Sequence, residues 1–207
     1  MQPIFSRNED YTKIAFLNWR IEKWSDILNL LNMADGFMRS ALELAKFSLS
    51  DNRDKAADIL IFPILTNANH SIELYLKAIT WILNKLKGEE SRIEGSHNIR
   101  QIYATVRAKI TDYGGGLSLE SFDKQTENLK DYIEELFSKT KATEKKDKMD
   151  FSRYPFDNKY ENHFYVDQIR NVEIDLENFL ARFIEIHEGL EVVTEFLYHI
   201  ELKQDQK

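Results

Sequence analysis

Residues that interrupt helices are rare in this sequence, and this scarcity constrains the fold more than any other feature. Only 7 Gly and 3 Pro occur among 207 residues. Apolar residues recur at helical spacing, and no segment shows the alternating pattern of a half-buried strand. With 43% hydrophobic residues, the chain can bury a large core. The sequence therefore predicts an all-α fold.

Five helices are predicted from the apolar spacing, the capping residues and the breakers. The first contains a bend or a join at Gly36, and the second contains a kink or a split at Pro63. The stretch 72–83 is apolar on nearly all sides, so the second helix should be the central, buried one. The predicted ranges are about 11–49, 54–87, 96–113 with Ser96 as its cap, 118–138 with Ser118 as its cap, and 166–202.

The length of the chain fits one domain over residues 1–207, in which residues 1–50 form an N-terminal helical extension. The composition changes over residues 139–148, which contain five Lys against one Glu and one Asp, with Ala142 as the only apolar residue. Such a segment has almost nothing to bury, so a mobile loop is predicted at about 139–150.

Charge and cysteine content exclude several kinds of protein. The formal net charge is −7, so the chain lacks the overall basic character of many nucleic-acid-binding domains, although a local basic patch is compatible with it. The absence of cysteine excludes disulfides, zinc–thiolate sites and thiol catalysis. The five histidines form no close-spaced metal motif, so neither a metal site nor a cofactor is expected.

Membrane association is not indicated by the sequence. The first ten residues lack the basic and then apolar pattern of a signal peptide. The longest uncharged run, Ile59 to Ile72, is shorter than the roughly 20 residues that a membrane-spanning helix needs. We therefore expect no membrane partner and a cytoplasmic location.

A polar stripe interrupts the apolar central helix. Thr66, His70, Glu73 and Lys77 follow one another at intervals of four, three and four residues, which places them on one helix face. Buried polar groups need partners. The stripe is therefore either an internal Glu73–Lys77 ion pair with His70 bonded to a neighbouring helix, or the lining of a ligand-binding cleft.

Two further residues are candidates for binding an anion. His97 lies near the start of the third helix, where helix N–H groups attract anions, although it could instead pack or cap the helix. Arg153 precedes Pro155 within an aromatic-rich segment. Its guanidinium could contact a phosphate or a base, or it could bind the carbonyl groups of the local turn.

Three segments together resemble the HEPN family (higher eukaryotes and prokaryotes nucleotide-binding domain). They are residues 69–79, 95–103 and 152–157, and the resemblance extends over roughly 55–200. The family has a helix with an E-L-x-x-K-A pattern, a G-H-D-L-like helix start and an R-Y-P-D segment. The matching residues here are Glu73, Leu74, Lys77 and Ala78, then His97, Asn98 and Ile99 with Ser96 inserted, then Arg153, Tyr154 and Pro155 with Phe156 inserted.

The resemblance implies an antiparallel helical bundle, here with long central and C-terminal helices, that forms a homodimer. Active members of the family are metal-independent endoribonucleases with an R-x(4–6)-H motif. After Arg153 the next histidine, His163, is too distant, while Arg182 and His187 have the right spacing but Phe183 replaces the usual polar residue. On one helix Arg182 and His187 would also point about 140° apart.

The usual ribonuclease site is thus expected to be degenerate, which favours a binding protein over an enzyme. Its ligand would be a nucleotide, RNA or a cognate protein partner, bound through His70, Glu73, Lys77, His97 and Arg153. One alternative is an endoribonuclease of a toxin or defence system that uses Arg182 and His187 in a non-standard site. The other is a purely structural dimerisation module.

Overall fold

The computed structural model describes residues 3–90, 95–140 and 149–202. It is 66% helical, and no β-strand occurs in these ranges, which confirms the all-α prediction. We number the α-helices in chain order. They are α1 (Asp26–Ser50), α2 (Ala57–Leu86), α3 (Ile99–Tyr113), α4 (Leu119–Gln125), α5 (Glu127–Thr140) and α6 (Leu176–Glu195).

Helix α2 is the centre of the bundle, as its composition predicts. Every residue from Ser71 to Asn84 is buried, because α1, α3 and α6 all pack against this helix. The most extensive of these contacts is with α1. Since only six residues connect α1 to α2, the two packed helices run antiparallel. One apolar cluster continues from Ile27 to Leu202 and includes residues of all six helices.

The first predicted helix starts fifteen residues too early. Residues 14–25 are irregular apart from turns, following a short 3₁₀ helix at Tyr11–Lys13, and α1 begins only at Asp26. Trp24 has a φ of 74°, which a right-handed helix cannot accommodate. Leu17, Ile21 and Trp24 are spaced like a helix face but remain exposed, so little packing stabilises a helix there.

Two expected interruptions do not divide their helices. Helix α1 runs through Gly36 without a join, and α2 runs through Pro63 without a split. Pro63 leaves the carbonyl of Ile59 without its usual helical donor. Ile59 is 76% exposed, so water can donate a hydrogen bond to this carbonyl instead.

The fourth predicted helix is instead two helices that meet at Thr126. Ser118 caps α4, as predicted, by accepting a hydrogen bond from the Ser121 N–H. The Thr126 hydroxyl donates to the Phe122 carbonyl and lies 3.0 Å from the Tyr103 hydroxyl. The cap of α3 also differs from the prediction, because Asn98 rather than Ser96 accepts from the Gln101 N–H.

The last predicted helix also starts too early. Residues 166–175 are irregular and exposed, and α6 begins after Asp175, whose side chain caps it by accepting from the Asn178 N–H. The chain then continues from α6 through a π-helical segment, Phe196–Leu202.

The predicted mobile loop lies mainly outside the described residues, which omit 141–148. Its flanks are helical, since residues 139–140 end α5 and Met149–Ser152 form a 3₁₀ helix. Across the described ranges, no helix is long and apolar enough to cross a membrane.

Candidate functional site

The polar stripe of α2 is centred on the carboxylate of Glu73. Lys77, one turn further along the helix, donates from Nζ to Glu73 Oε1 at 2.8 Å. Both residues are buried, with 9% of Glu73 and 8% of Lys77 exposed. This is the internal ion pair that the four-residue spacing predicts.

His97 reaches the same carboxylate from a different part of the chain. Its Nδ1 lies 2.9 Å from Glu73 Oε1, although 24 residues separate the two in sequence. The Asn98 cap positions His97 immediately before α3, which packs on α2. The His97 side chain is 65% exposed, so one edge of the ring contacts Glu73 while much of the ring faces solvent.

His70 lies on the other side of the Glu73 carboxylate. Its Nδ1 is 3.9 Å from Glu73 Oε2, too far for a hydrogen bond but within the range of an ion pair when the imidazole is protonated. The ring also packs edge-on against Phe37 of α1 at a centroid distance of 4.5 Å. The side chain is 40% exposed. His70 therefore contacts the carboxylate of its own helix, whereas the sequence left open a bond to a neighbouring one.

These neighbours determine the ionisation of Glu73. Burial alone would raise the pKa of its carboxyl, but the contacts with His70, Lys77 and His97 outweigh burial and lower the pKa from 4.5 to about 2. Glu73 is thus ionised at neutral pH and can only accept hydrogen bonds. Consequently His97 Nδ1 must carry the hydrogen of this contact, and in the neutral imidazole Nε2 is left as the proton acceptor.

The segment that contains Arg153 also adjoins the stripe. The Thr66 hydroxyl lies 2.9 Å from the Ser152 hydroxyl and 3.2 Å from the Ser152 carbonyl oxygen. This contact fixes the 3₁₀ helix Met149–Ser152 against the start of the stripe. Arg153 follows directly, and it is exposed. The three segments that carry the sequence resemblance therefore all meet on α2.

The site is an open surface rather than an enclosed pocket. The His97 side chain is 65% exposed and the His70 side chain is 40% exposed. The two exposed imidazoles are consequently accessible to a large ligand.

Arg182 and His187 do not form a joint site within one chain. Arg182 extends to α5, where Nη1 pairs with Glu135 Oε2 at 2.9 Å. His187 faces the opposite direction, with Nε2 3.2 Å from Asp35 Oδ1 of α1 and 3.2 Å from the Tyr75 hydroxyl of α2. The two side chains point in different directions because they are five residues apart on one helix.

No protein-family model, no curated protein and no solved structure matches the chain.

Proposed function

We propose that this protein is a HEPN-like binding protein of the cytoplasm that holds a phosphate group of a nucleotide or RNA at the surface formed by His70, His97 and Arg153. The observation that carries the proposal is the contact of 2.9 Å between His97 Nδ1 and Glu73 Oε1. It anchors an exposed imidazole by one nitrogen and leaves the other available to a ligand.

Charge supports an anionic ligand. Glu73 and Lys77 neutralise each other below the surface. The groups that reach solvent around Glu73 are two imidazoles. Arg153 is an exposed cation that directly follows Ser152, the residue in contact with Thr66 at the start of the stripe. A guanidinium group is a donor only and binds phosphate oxygens through charge-assisted hydrogen bonds. An imidazole that is anchored through Nδ1 donates to phosphate in the same way only when Nε2 is protonated.

The position of the site supports a ligand as extended as RNA. An open surface excludes little water, so it fits a phosphate backbone better than a small molecule that must be enclosed. The net charge of −7 would otherwise repel RNA, so binding should depend on Arg153 and on protonation of the two imidazoles.

The proposal is tested by fluorescence anisotropy with labelled single-stranded RNA, followed by competition with AMP and ATP. The variants are His97→Gln and Arg153→Ala. Loss of one charge-assisted hydrogen bond should weaken binding about 10- to 100-fold in each case. The affinity should also fall as salt concentration rises, because counterions compete for the same cationic groups.

Two matched variants control for a general change of surface charge. His199→Gln removes another exposed histidine, and Arg170→Ala removes another exposed arginine from an irregular segment. Both should bind like wild type. If wild type binds neither RNA nor nucleotides, or if the controls weaken binding as much as the site variants, the proposal is wrong.

An endoribonuclease is the second candidate function, and the same contact favours it. Glu73 orients His97 and leaves Nε2 as a proton acceptor, which is the arrangement that a general base requires. A ribonuclease built on this pair would use His97 in place of His187, with Arg153 as the group that stabilises charge on the phosphate.

Cleavage of structured and single-stranded RNA without metal distinguishes the two candidates. The assay compares wild type with His97→Ala and His187→Ala. Cleavage that falls about 10²- to 10⁴-fold only in His97→Ala supports catalysis at Glu73–His97. Cleavage that disappears only in His187→Ala supports the Arg182–His187 alternative. RNA binding without cleavage supports the binding function alone.

A further inference from the structure

A second cluster of ionisable side chains connects α1 with α6, and it is separate from the Glu73 stripe. His187 Nε2 lies 3.2 Å from Asp35 Oδ1 and 3.5 Å from Glu191 Oε1. One ligand atom from each of the three residues can be chosen so that all lie within 4.8 Å of one another. His187 and Glu191 are one turn apart on α6, while Asp35 comes from α1.

We propose that Asp35, His187 and Glu191 bind one divalent transition-metal ion, with zinc as the best fit. Zinc binds imidazole nitrogen and carboxylate oxygen at about 2.0–2.2 Å with tetrahedral geometry, which places neighbouring ligand atoms roughly 3.4 Å apart. The distances from His187 Nε2 to the two carboxylate oxygens, 3.2 and 3.5 Å, fit this separation.

Only the separation between the Asp35 and Glu191 oxygens has to change, and a small side-chain movement is enough. Asp35 and Glu191 each contribute one oxygen, and these two atoms lie within 4.8 Å of each other. The Glu191 side chain is 46% exposed and can turn inward, whereas His187 is only 12% exposed and is fixed by its neighbours. Three protein ligands would leave a fourth position for water.

The contacts of His187 are better satisfied with a metal than without one. Nε2 faces three oxygens, those of Asp35, Glu191 and the Tyr75 hydroxyl, but this nitrogen carries at most one hydrogen. A metal ion would instead accept electron pairs from the nitrogen and both carboxylates at once. The hydroxyl of buried Tyr75, 3.2 Å from His187 Nε2, would then lie beside the metal ion.

Arg39 competes with a metal ion for Asp35. Its Nε donates to Asp35 Oδ1 at 2.8 Å. The Arg39 side chain is 69% exposed, so an exposed ion pair of this kind stabilises little and can open at small cost. The formal charges of Asp35, Glu191 and Arg39 sum to −1, which a divalent cation reverses to +1.

The test titrates zinc chloride into the full-length protein after treatment with a chelator, using isothermal titration calorimetry. We expect one zinc ion per chain and a higher melting temperature in its presence. His187→Gln, Asp35→Asn and Glu191→Gln should each weaken binding at least tenfold. Glu191→Gln changes a half-exposed side chain, so this variant keeps the test valid if the more buried substitutions impair folding.

Two histidine variants serve as matched controls. His199→Gln disrupts a His–Glu pair with the same four-residue spacing, in which His199 of the π-helical segment after α6 places Nε2 3.8 Å from Glu195 Oε2. His97→Gln disrupts the Glu73 stripe. Both should bind zinc like wild type. Absence of stoichiometric binding, or binding that is lost in a control but kept in Glu191→Gln, would overturn the proposal.

Discussion

Glu73 is the single residue on which the candidate site depends, because it holds His97 and Lys77 through one oxygen atom. Its burial makes its charge costly unless these partners remain in place. Because Glu73 is buried and charged, its protonation at acid pH affects the stability of the fold as well as the site.

We expect the free energy of unfolding to fall between pH 5 and pH 3 because Glu73 becomes protonated. Its pKa of about 2 in the folded state lies below the ordinary value of 4.5. A depressed pKa stabilises the fold above the unfolded-state value, and this contribution is lost as the pH falls towards the folded-state value. The expected loss from Glu73 is about 2 kcal/mol at pH 3. Urea unfolding at pH 5, 4 and 3 measures it.

Glu73→Gln is the decisive variant for this prediction, since it removes the titrating group and keeps the size of the side chain. Its stability should depend less on pH than that of wild type by that amount. Glu43→Gln is the matched control, because Glu43 pairs with Lys46 but its side chain is 71% exposed. Identical pH dependence in wild type and Glu73→Gln would contradict the prediction.

Part of the site can be predicted from the sequence and part cannot. The four-residue step from Glu73 to Lys77 is local, so helical geometry alone predicts their contact. The contact of His97 with Glu73 depends on how α3 packs on α2, and the spacing of apolar residues does not predict this packing. Only the resemblance to the HEPN family placed His97 and Glu73 in one site. The cluster of Asp35, His187 and Glu191 could not be predicted from the sequence for the same reason. His187 and Glu191 are visible as a helical pair, but Asp35 joins them only through the packing of α1 on α6.

At the scale of the helices, the sequence predicts where helices exist better than where they begin. Helix α2 is recognised because its apolar residues continue around the whole helix and are buried. The starts of α1 and α6 are misplaced because the preceding apolar residues have helical spacing but find no partner. The break at Thr126 is invisible in the apolar pattern, since it depends on close packing between α6 and the α4–α5 corner.

Gly189 makes that close packing possible. A Cβ atom at this position would overlap the backbone carbonyl oxygen of Gln125. We therefore expect Gly189→Ala to lower the free energy of unfolding by about 1–3 kcal/mol, as overpacking against a rigid neighbour typically does. Chemical denaturation followed by circular dichroism measures the change.

Gly36→Ala provides the matched control on another helix. Nothing lies within 4 Å of a Cβ at Gly36, which is inside α1. The substitution there should stabilise the protein by roughly 0.5–1 kcal/mol, because alanine favours the helix interior over glycine. If both alanine variants change stability in the same direction, the proposed role of Gly189 in packing is wrong.

At the scale of the whole molecule, the bundle already uses the apolar face of its last helix. Phe179, Phe183, Ile186, Leu190 and Val193 are each at most 7% exposed. That face is thus part of the core and is not free to form an interface. The exposed apolar side chains instead concentrate before α1, where Ile4, Phe5, Leu17, Trp19 and Trp24 are each at least 68% exposed.

The homodimer remains a prediction, and we expect this segment before α1 to contribute to its interface. Several large apolar side chains close together in water favour association, because their burial removes unfavourable hydrophobic surface. Light scattering at micromolar concentration should give a mass about twice the 24.5 kDa of the chain.

Replacing Leu17 and Trp24 together by serine should shift the mass towards that of one chain. Ile169→Ser, at another fully exposed apolar residue, should not. A wild-type mass near 24.5 kDa would exclude the dimer, and a dimer unaffected by the double variant would place the interface elsewhere.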